Sequence, residues 1–223
     1  MGSDSLRFWH GGAPGLAVGD RIIPRSQLPD DNYDKAIHST IDPTDTGRVY
    51  LTTNTSFAIG WALRYAHTPF PDARHGTVYE VRPEGTVDID TDFPAEAGSW
   101  HAPSAVIIGI YRRRVRGSER DRRKRISCYT TWSDSTPVYT SDGFLLPAPE
   151  WRAQGITADE LRRFGRWPAR ENLAAHNGAI IDTTNHLDDL LEREFFLNYV
   201  RNNRIVGPYL FRSSSTSEES GNK

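Results

Sequence analysis

The chain has little that would hold it together covalently or anchor it in a bilayer. It contains a single cysteine, Cys128, so an intrachain disulfide is excluded. No apolar run approaches the roughly 20 residues that a membrane-spanning helix needs, and residues 1–5 lack the start of a secretory signal. The formal net charge is −2, too small for a general attraction to nucleic acid or membranes. We therefore expect a cytoplasmic protein without a membrane partner.

The 223 residues are enough for one large domain or two small ones. The composition changes at residues 112–125, where nine Arg or Lys residues accompany Glu119 and Asp121. We interpret this segment as a domain boundary or an exposed loop. Residues 6–118 then form one domain, and residues 119–212 form an extension or second lobe of unknown role. Residues 213–223 are polar and of low complexity, which predicts a disordered tail.

Three stretches are expected to meet at one cleft. Residues 8–12 predict a short strand that ends in His10 and two glycines, where a backbone can pass close to a ligand. Residues 48–53 predict a strand carrying Tyr50. Residues 76–83 predict a strand that ends at a proline, before an acidic loop over residues 84–104. We expect the ligand of this cleft to be a dinucleotide.

Several side chains of these stretches suit a nucleotide. An imidazole such as His10 can hold a ribose hydroxyl while the backbone of Gly11 pairs with a carboxamide. The stretch Asn54-Thr55-Ser56 is expected to cap a helix over about 56–67, and Trp61 on it can sandwich a flat heterocycle against Tyr50. The alternatives are a structural histidine and a tyrosine packed in the core.

The acidic loop carries Asp88, Asp90 and Asp92 at alternate positions. They form a solvated loop or a weak cation site, or else one carboxylate faces a positive charge that develops during a reaction. The spacing does not match a calcium-binding loop, which needs a glycine at the sixth position and a glutamate at the twelfth. We predict no metal site.

Together these pieces resemble the histidine–tyrosine–acid class of ADP-ribosyltransferases, and more closely the enzymes that inactivate rifamycins. The resembling segments follow the family's order and cover residues 6 to about 115; they are 9–11, 18–22, 48–52, 76–85 and 105–111. The resemblance implies an α+β fold in which split antiparallel sheets surround an NAD cleft, within residues 6–118. The extension after residue 118 has no counterpart in that family and is expected to be α+β as well.

The resemblance also implies roles. His10 would hold the ribose next to nicotinamide, Tyr50 would stack on nicotinamide, and Asp90 would face the reacting ribose, with Asp88 as the competing acid. Trp61 would be a second stacking aromatic. NAD would serve as co-substrate without a metal, and ADP-ribose would pass to an acceptor hydroxyl, of which a rifamycin is the direct implication.

Other acceptors and functions stay open. The basic residues of 112–125 make nucleic acid a possible partner, although we favour a solvated connector because aromatic residues are not interleaved there. The alternatives are a toxin-like transferase or NAD glycohydrolase acting on protein or nucleic acid, and an inactive module that binds NAD or ADP-ribose.

Three further predictions concern the fold. The apolar run 105–111 is expected to be a buried strand. Thr157 and Glu160 fit a capping box and predict a helix over about 158–166. A second helix is expected from about residue 185 to about 202.

Overall fold

The structure, a computed structural model, describes residues 6–27, 47–67, 74–176 and 178–183. Its main elements are β1 (Phe8–Gly12), β2 (Arg21–Ile22), β3 (Val49–Thr52), α1 (Thr55–Ala62), β4 (Gly76–Glu84), β5 (Asp88–Ile89), β6 (Ser99–Ala102), β7 (Ser104–Val115), α2 (Glu119–Ile126), α3 (Pro149–Ala153), α4 (Ala158–Leu161), β8 (Leu173–His176) and β9 (Ala179–Asp182). The α+β class is confirmed: the sheets are antiparallel and the helices are few and short. The helix expected after residue 185, the tail 213–223 and residues 28–46 lie outside the described residues.

Strands β1 to β7 form one sheet in the order β2-β7-β4-β1-β3-β6-β5. Strand β1 pairs with β4 along its whole length, from Phe8 opposite Val81 to Gly12 opposite Thr77. Strand β1 pairs with β3 where Trp9 lies opposite Thr52. The two halves of the sheet are therefore joined at a short seam between β1 and β3.

Alternation along the strands gives the sheet two different faces. On one face, Phe8, Leu51 and Tyr79 belong to an apolar cluster in which Trp100 packs on Phe8 at a centroid distance of 6.1 Å. The other buried members of this cluster are Ile22, Val49, Val81, Ala102, Ala105 and Ile107. The opposite face of β1 and β4 is covered by α1.

Helix α1 begins where β3 ends, because Asn54 caps it. The Asn54 carboxamide oxygen accepts hydrogen bonds from the backbone N–H groups of Ser56 and Phe57, as the sequence predicts. The α-helix ends at Ala62 and continues as a 3-10 turn over Leu63–His67. None of the helices in the described part of the chain is long and apolar enough to cross a membrane.

Two glycines let α1 lie directly on the sheet. A Cβ atom added at Gly11 would stand 1.9 Å from the carbonyl oxygen of Ala58, and one at Gly76 would stand 2.0 Å from that of Ala62. Ala58 and Ala62 are one helical turn apart. The helix backbone therefore rests on the strand backbones at two successive turns.

Two predictions about the sheet are wrong, and a third holds only in part. Strand β4 does not end at Pro83 but pairs it with Ala105 and continues to Glu84. Pairing with β1 stops at Val81, so the N–H group that proline lacks is not needed on that side. The predicted loop 84–104 contains β5 and β6, which are too short to give a clear periodic signal.

The prediction of a buried strand over 105–111 holds in part, since Ala105 and Ile107 are buried in a strand. The run belongs to β7, which extends to Val115, but Ile108 and Tyr111 are 47% and 50% exposed. Strand β2 pairs with β7 at Ala105 and Val106, so the rest of β7 runs along an edge of the sheet and one side stays open.

Most of residues 112–126 lie in regular secondary structure, and residues 116–118 connect the strand to the helix. Residues 112–115 complete β7, and α2 follows after a two-way capping box between Ser118 and Asp121. Helix α2 packs beside α1, where a Cβ atom at Gly60 would stand 2.7 Å from Ile126 Cγ1. Sheet, α1 and α2 therefore form three successive layers.

A separate apolar cluster lies beyond α2 and includes Val138, Tyr139, Leu145, Trp151 and Leu161. The capping box at Thr157 and Glu160 is confirmed, although α4 ends at Leu161 and a 3-10 turn follows to Phe164. Arg123 on α2 donates from Nε to the carbonyl oxygen of Trp167 at 3.0 Å. Residues of this second cluster are thereby tied to the basic segment.

The close contact at Gly11 generates a stability prediction. Gly11→Ala should lower the free energy of unfolding by about 2 to 3 kcal/mol, because the added methyl group meets the α1 backbone and either the helix or the strand must move. The measurement is denaturant unfolding followed by circular dichroism.

Gly109→Ala in β7 is the matched control. Its added Cβ would meet the Glu80 side chain at 3.5 Å, an ordinary contact, so this variant should stay within about 0.5 kcal/mol of the parent protein. Equal losses in the two variants would contradict the close packing of α1 on β1.

Candidate functional site

A row of three polar side chains crosses the half of the sheet formed by β3, β6 and β5. Tyr50 on β3 lies opposite His101 on β6, and His101 lies opposite Asp88 on β5. Residues directly opposite each other on neighbouring strands point to the same face. The Tyr50 and His101 rings meet edge to face at a centroid distance of 6.1 Å. We name Tyr50, His101 and Asp88 the polar row.

The polar row lies on the face of β3 that is turned away from the apolar cluster. Leu51, the neighbour of Tyr50, is buried in that cluster, and Trp100, the neighbour of His101, packs against it. Counting from the Trp9–Thr52 pair, Gly11 on β1 lies opposite Tyr50. The same face therefore carries the Gly11 position, two aromatic rings and a carboxylate.

The sequence did not single out His101. Its Nδ1 atom is buried and has no hydrogen-bond partner among the described residues. Unpaired buried polar atoms are rare in folded proteins because they have lost water without gaining a partner. The available signal was the stretch Ser99–Ala102, whose alternation is too short to distinguish a strand from a loop.

His10 lies on the other face of β1, at the seam with β3. Its Nδ1 atom is 2.9 Å from the backbone carbonyl oxygen of Tyr50. A carbonyl oxygen can only accept, so Nδ1 carries the proton and Nε2 has a free lone pair. A Cβ atom added at Gly12 would stand 2.8 Å from Nε2, which shows that Nε2 is turned towards Gly12. His10 and Tyr50 are thus joined through the Tyr50 backbone while their side chains leave the sheet on opposite faces.

The ionisation of His10 follows from its surroundings. Burial lowers the pKa of His10 below the usual value of 6.5, and the hydrogen bond to the Tyr50 carbonyl opposes this only in part. The imidazole is therefore neutral at pH 7, and Nε2 can accept a hydrogen bond from a hydroxyl group.

Asp90 lies directly after β5 and is 4% exposed. Its Oδ2 atom accepts a hydrogen bond from Ser99 Oγ at 2.7 Å, and Oδ1 accepts one from the backbone N–H of Asp92 at 3.0 Å. The Asp90 backbone N–H donates to the Ser99 carbonyl oxygen. Asp90 is therefore enclosed between the loop and β6, whereas Asp88 is exposed.

Trp61 belongs to an aromatic cluster on α1. Its ring centroid is 6.0 Å from that of Phe57 and 6.3 Å from that of Phe93. The Arg64 guanidinium lies over the Trp61 ring, 5.4 Å from its centroid. The sandwich of a ligand between Trp61 and Tyr50 stays a prediction.

The structure thus brings Tyr50, Asp88 and Gly11 together on one face and adds His101. His10 reaches the same seam from the opposite face, and Asp90 is buried next to the row. In the part of the chain that the structure describes, no cluster of three or more His, Cys, Asp or Glu residues is arranged to hold a metal ion.

The enclosure of Asp90 generates a second stability prediction. Ser99→Ala removes the donor to Oδ2 and leaves a buried carboxylate oxygen without a partner, which should cost roughly 1 to 3 kcal/mol. Ser104→Ala is the control, since Ser104 Oγ donates to Glu84, a residue with access to water, and should cost less than about 0.5 kcal/mol. Urea unfolding of both variants is the measurement. Equal stability of the two variants would contradict the buried role of Ser99.

The lowered pKa of His10 predicts how stability responds to acid. The unfolded chain binds a proton to this residue at a higher pH than the folded chain does, so stability is retained above about pH 6.5 and falls as the pH drops below it. The His10 ring should titrate below pH 6.5 by NMR, and His10→Gln should make stability less dependent on pH between about 4 and 7. A ring that titrates above 6.5 would contradict its burial.

Comparisons with known proteins assign the chain to no family. No protein-family model matches it, and a search of curated proteins found no significant match. The resemblance to ADP-ribosyltransferases therefore stays a prediction that depends on the residues of this chain.

Proposed function

We propose that the chain is an NAD-dependent mono-ADP-ribosyltransferase that binds NAD at the seam between β1 and β3. The observation that carries the proposal is the polar row beside Gly11. It gathers on one face an aromatic ring for nicotinamide and a carboxylate for a cationic ribose. The carboxamide contact at Gly11 comes from the resemblance, because α1 covers that face of β1.

Each group has a role that its surroundings support. Tyr50 is half-buried and presents its ring on the open face, so it can stack on nicotinamide. The role of His10 as an acceptor for a ribose hydroxyl comes from the resemblance, because its side chain leaves the sheet on the face opposite to Tyr50. In the reaction the bond between the nicotinamide nitrogen and ribose C1′ breaks, and the bonding electrons leave with nicotinamide. The acceptor oxygen then forms the new bond to C1′ and gives up its proton.

The carboxylate that faces the cationic ribose must be accessible. Asp88 is exposed and is in the same row as Tyr50, whereas both oxygens of Asp90 are engaged and shielded from water. This geometry favours Asp88 for direct contact with the ribose, and it gives Asp90 the role of fixing the loop that carries Asp88. The order of residues in the resembling family instead gives the direct role to Asp90, so the two acids need to be separated by experiment.

The acceptor is proposed from the resemblance alone, as a hydroxyl group of a rifamycin-type compound. A toxin-like transferase or an NAD glycohydrolase would use the same groups with a macromolecule or water as acceptor. An NAD-binding module without turnover would keep the stacking and the ribose contacts only.

Asp88→Asn and Asp90→Asn form a matched pair that tests the assignment of the acid. Asp88→Asn should lower kcat for nicotinamide release by about 100-fold or more, because a charge that stabilises the transition state is lost, while the Kd for NAD changes little. Asp90→Asn should mainly lower thermal stability. Nicotinamide release is measured by chromatography with and without rifamycin, and NAD binding by calorimetry.

The other outcomes separate the alternatives. Full activity of Asp88→Asn with loss in a folded Asp90→Asn would transfer the direct role to Asp90. Release without rifamycin would support a glycohydrolase or toxin, and thermal stabilisation by NAD without release would support the binding module. No heat and no stabilisation with NAD would contradict the proposal in every form.

A further inference from the structure

A strip of seven basic side chains follows the open edge of the sheet onto α2. Its members are Arg74, Arg112, Arg113, Arg114, Arg116, Arg120 and Lys124, all of them exposed. We name this set the basic strip. In the part of the chain that the structure describes, none of these side chains makes a hydrogen bond or an ion pair.

Three other arginines of residues 112–125, outside the basic strip, make contacts within the fold. Arg122 pairs with Glu119, Arg123 bonds the Trp167 carbonyl, and Arg125 donates to Ser56 Oγ at 2.8 Å. The two acidic residues of the segment are occupied as well, since Asp121 accepts from Ser118 in the capping box. Among the described residues, the basic strip thus forms no ion pair with these two carboxylates, and Lys124 acts on Asp121 only through a longer-range charge interaction.

An irregularity in β7 turns consecutive arginines outward. Gly76 lies opposite Val115 but Val78 lies opposite Arg112, so β7 has one residue more than β4 between these pairs. Arg114 has a φ of 52°, a left-handed conformation that costs an arginine free energy. As a result Tyr111, Arg112, Arg113 and Arg114 are all exposed, whereas a regular strand would alternate.

The basic strip continues across the end of the sheet. Arg74 and Arg116, together with Ala66 and Gly117, line a cavity of about 350 Å³. Gly117 leads into α2, where Arg120 and Lys124 are four residues apart and share one helix face. Two guanidinium groups at one cavity provide the forked donors that phosphate groups accept.

The exposed ring of Tyr111 favours one class of anionic ligand over the others. Tyr111 is 50% exposed, begins the row of arginines and is supported by Trp9, whose ring centroid is 6.1 Å away. A rigid exposed ring next to cations can stack on an unpaired base while the arginines hold the backbone phosphates. Lipid headgroups and inorganic phosphate have no flat ring that could stack on Tyr111.

We propose that Tyr111 and the basic strip bind single-stranded nucleic acid through its phosphates and bases. The chain as a whole has a net charge of −2, so this property does not follow from composition. Residues 112–125 contain nine basic and two acidic residues, a net charge of +7, and the rest of the chain therefore carries −9. The proposal does not depend on the NAD site, because the polar row is on other strands.

The test is fluorescence anisotropy of a labelled single strand of about 20 nucleotides, as DNA and as RNA, with the full chain. Binding should weaken steeply between about 50 and 200 mM salt. The triple variant Arg112→Gln, Arg113→Gln, Arg114→Gln should lower the slope of log K against log salt by about 2 and weaken binding at least tenfold. Comparing the affinities for DNA and RNA shows which kind of strand the protein prefers, and binding of either supports the proposal.

The matched control removes three arginines elsewhere. Arg152→Gln, Arg162→Gln and Arg166→Gln together change the net charge equally, and each of these side chains has a carboxylate partner. This variant should bind nearly as the parent does. Equal weakening in the two triple variants would show a general charge effect and overturn the proposal.

Tyr111 separates single strands from other anions. Tyr111→Ala should weaken binding about tenfold and Tyr111→Phe should not, because both rings stack but alanine cannot. Thermal unfolding checks that Tyr111→Ala is folded. Tighter binding of a duplex than of a single strand, or binding of phosphatidylserine vesicles in place of the strand, would overturn the proposal.

Discussion

The arrangement of the N-terminal part depends on how closely α1 approaches the sheet. Gly11 and Gly76 are on adjacent strands, and both would clash with helix carbonyl oxygens if they carried a side chain. On the outer side of α1, Gly60 allows the same close approach to Ile126 of α2. Because three glycines set the spacing of three layers, α1 covers β1 and β4 but leaves the face of β3, β6 and β5 to the polar row.

This spacing also explains why the two candidate sites are distinct. Asn54 fixes the start of α1 directly after β3 and donates from Nδ2 to the Tyr129 hydroxyl at 2.8 Å. The link ties β3, which carries Tyr50, to the segment after α2. The polar row therefore lies on one side of α1, and the basic strip begins at the far edge of the sheet. Strands β4 and β1 lie between β7, which carries Tyr111 and Arg112, and β3, so nucleotide chemistry and binding of a strand can be altered separately.

The sequence was informative where a signal is local. The cap at Asn54 and the box at Thr157 and Glu160 each need only three or four neighbouring residues, and both are confirmed. The α+β class, which the resemblance implied, is confirmed as well. The burial of Asp90 could not be predicted, because it depends on Ser99, nine residues away, and on a strand too short to recognise. The row of Tyr50, His101 and Asp88 likewise depends on register between strands that are far apart in the chain.

The basic segment shows how structure changes an interpretation made from charge alone. As a sequence, residues 112–125 favoured a solvated connector, since their charges looked equivalent and no aromatic residue lay among them. In the fold they separate into two sets: Arg122, Arg123 and Arg125 hold α2 in place, and the remainder are unpaired. The bulge at Arg114 puts Tyr111 at the end of the unpaired set, which supplies the aromatic ring that the sequence interpretation lacked. Because the left-handed Arg114 costs stability and no fold contact of its side chain offsets that cost among the described residues, the outward row of arginines is better explained by a ligand than by packing.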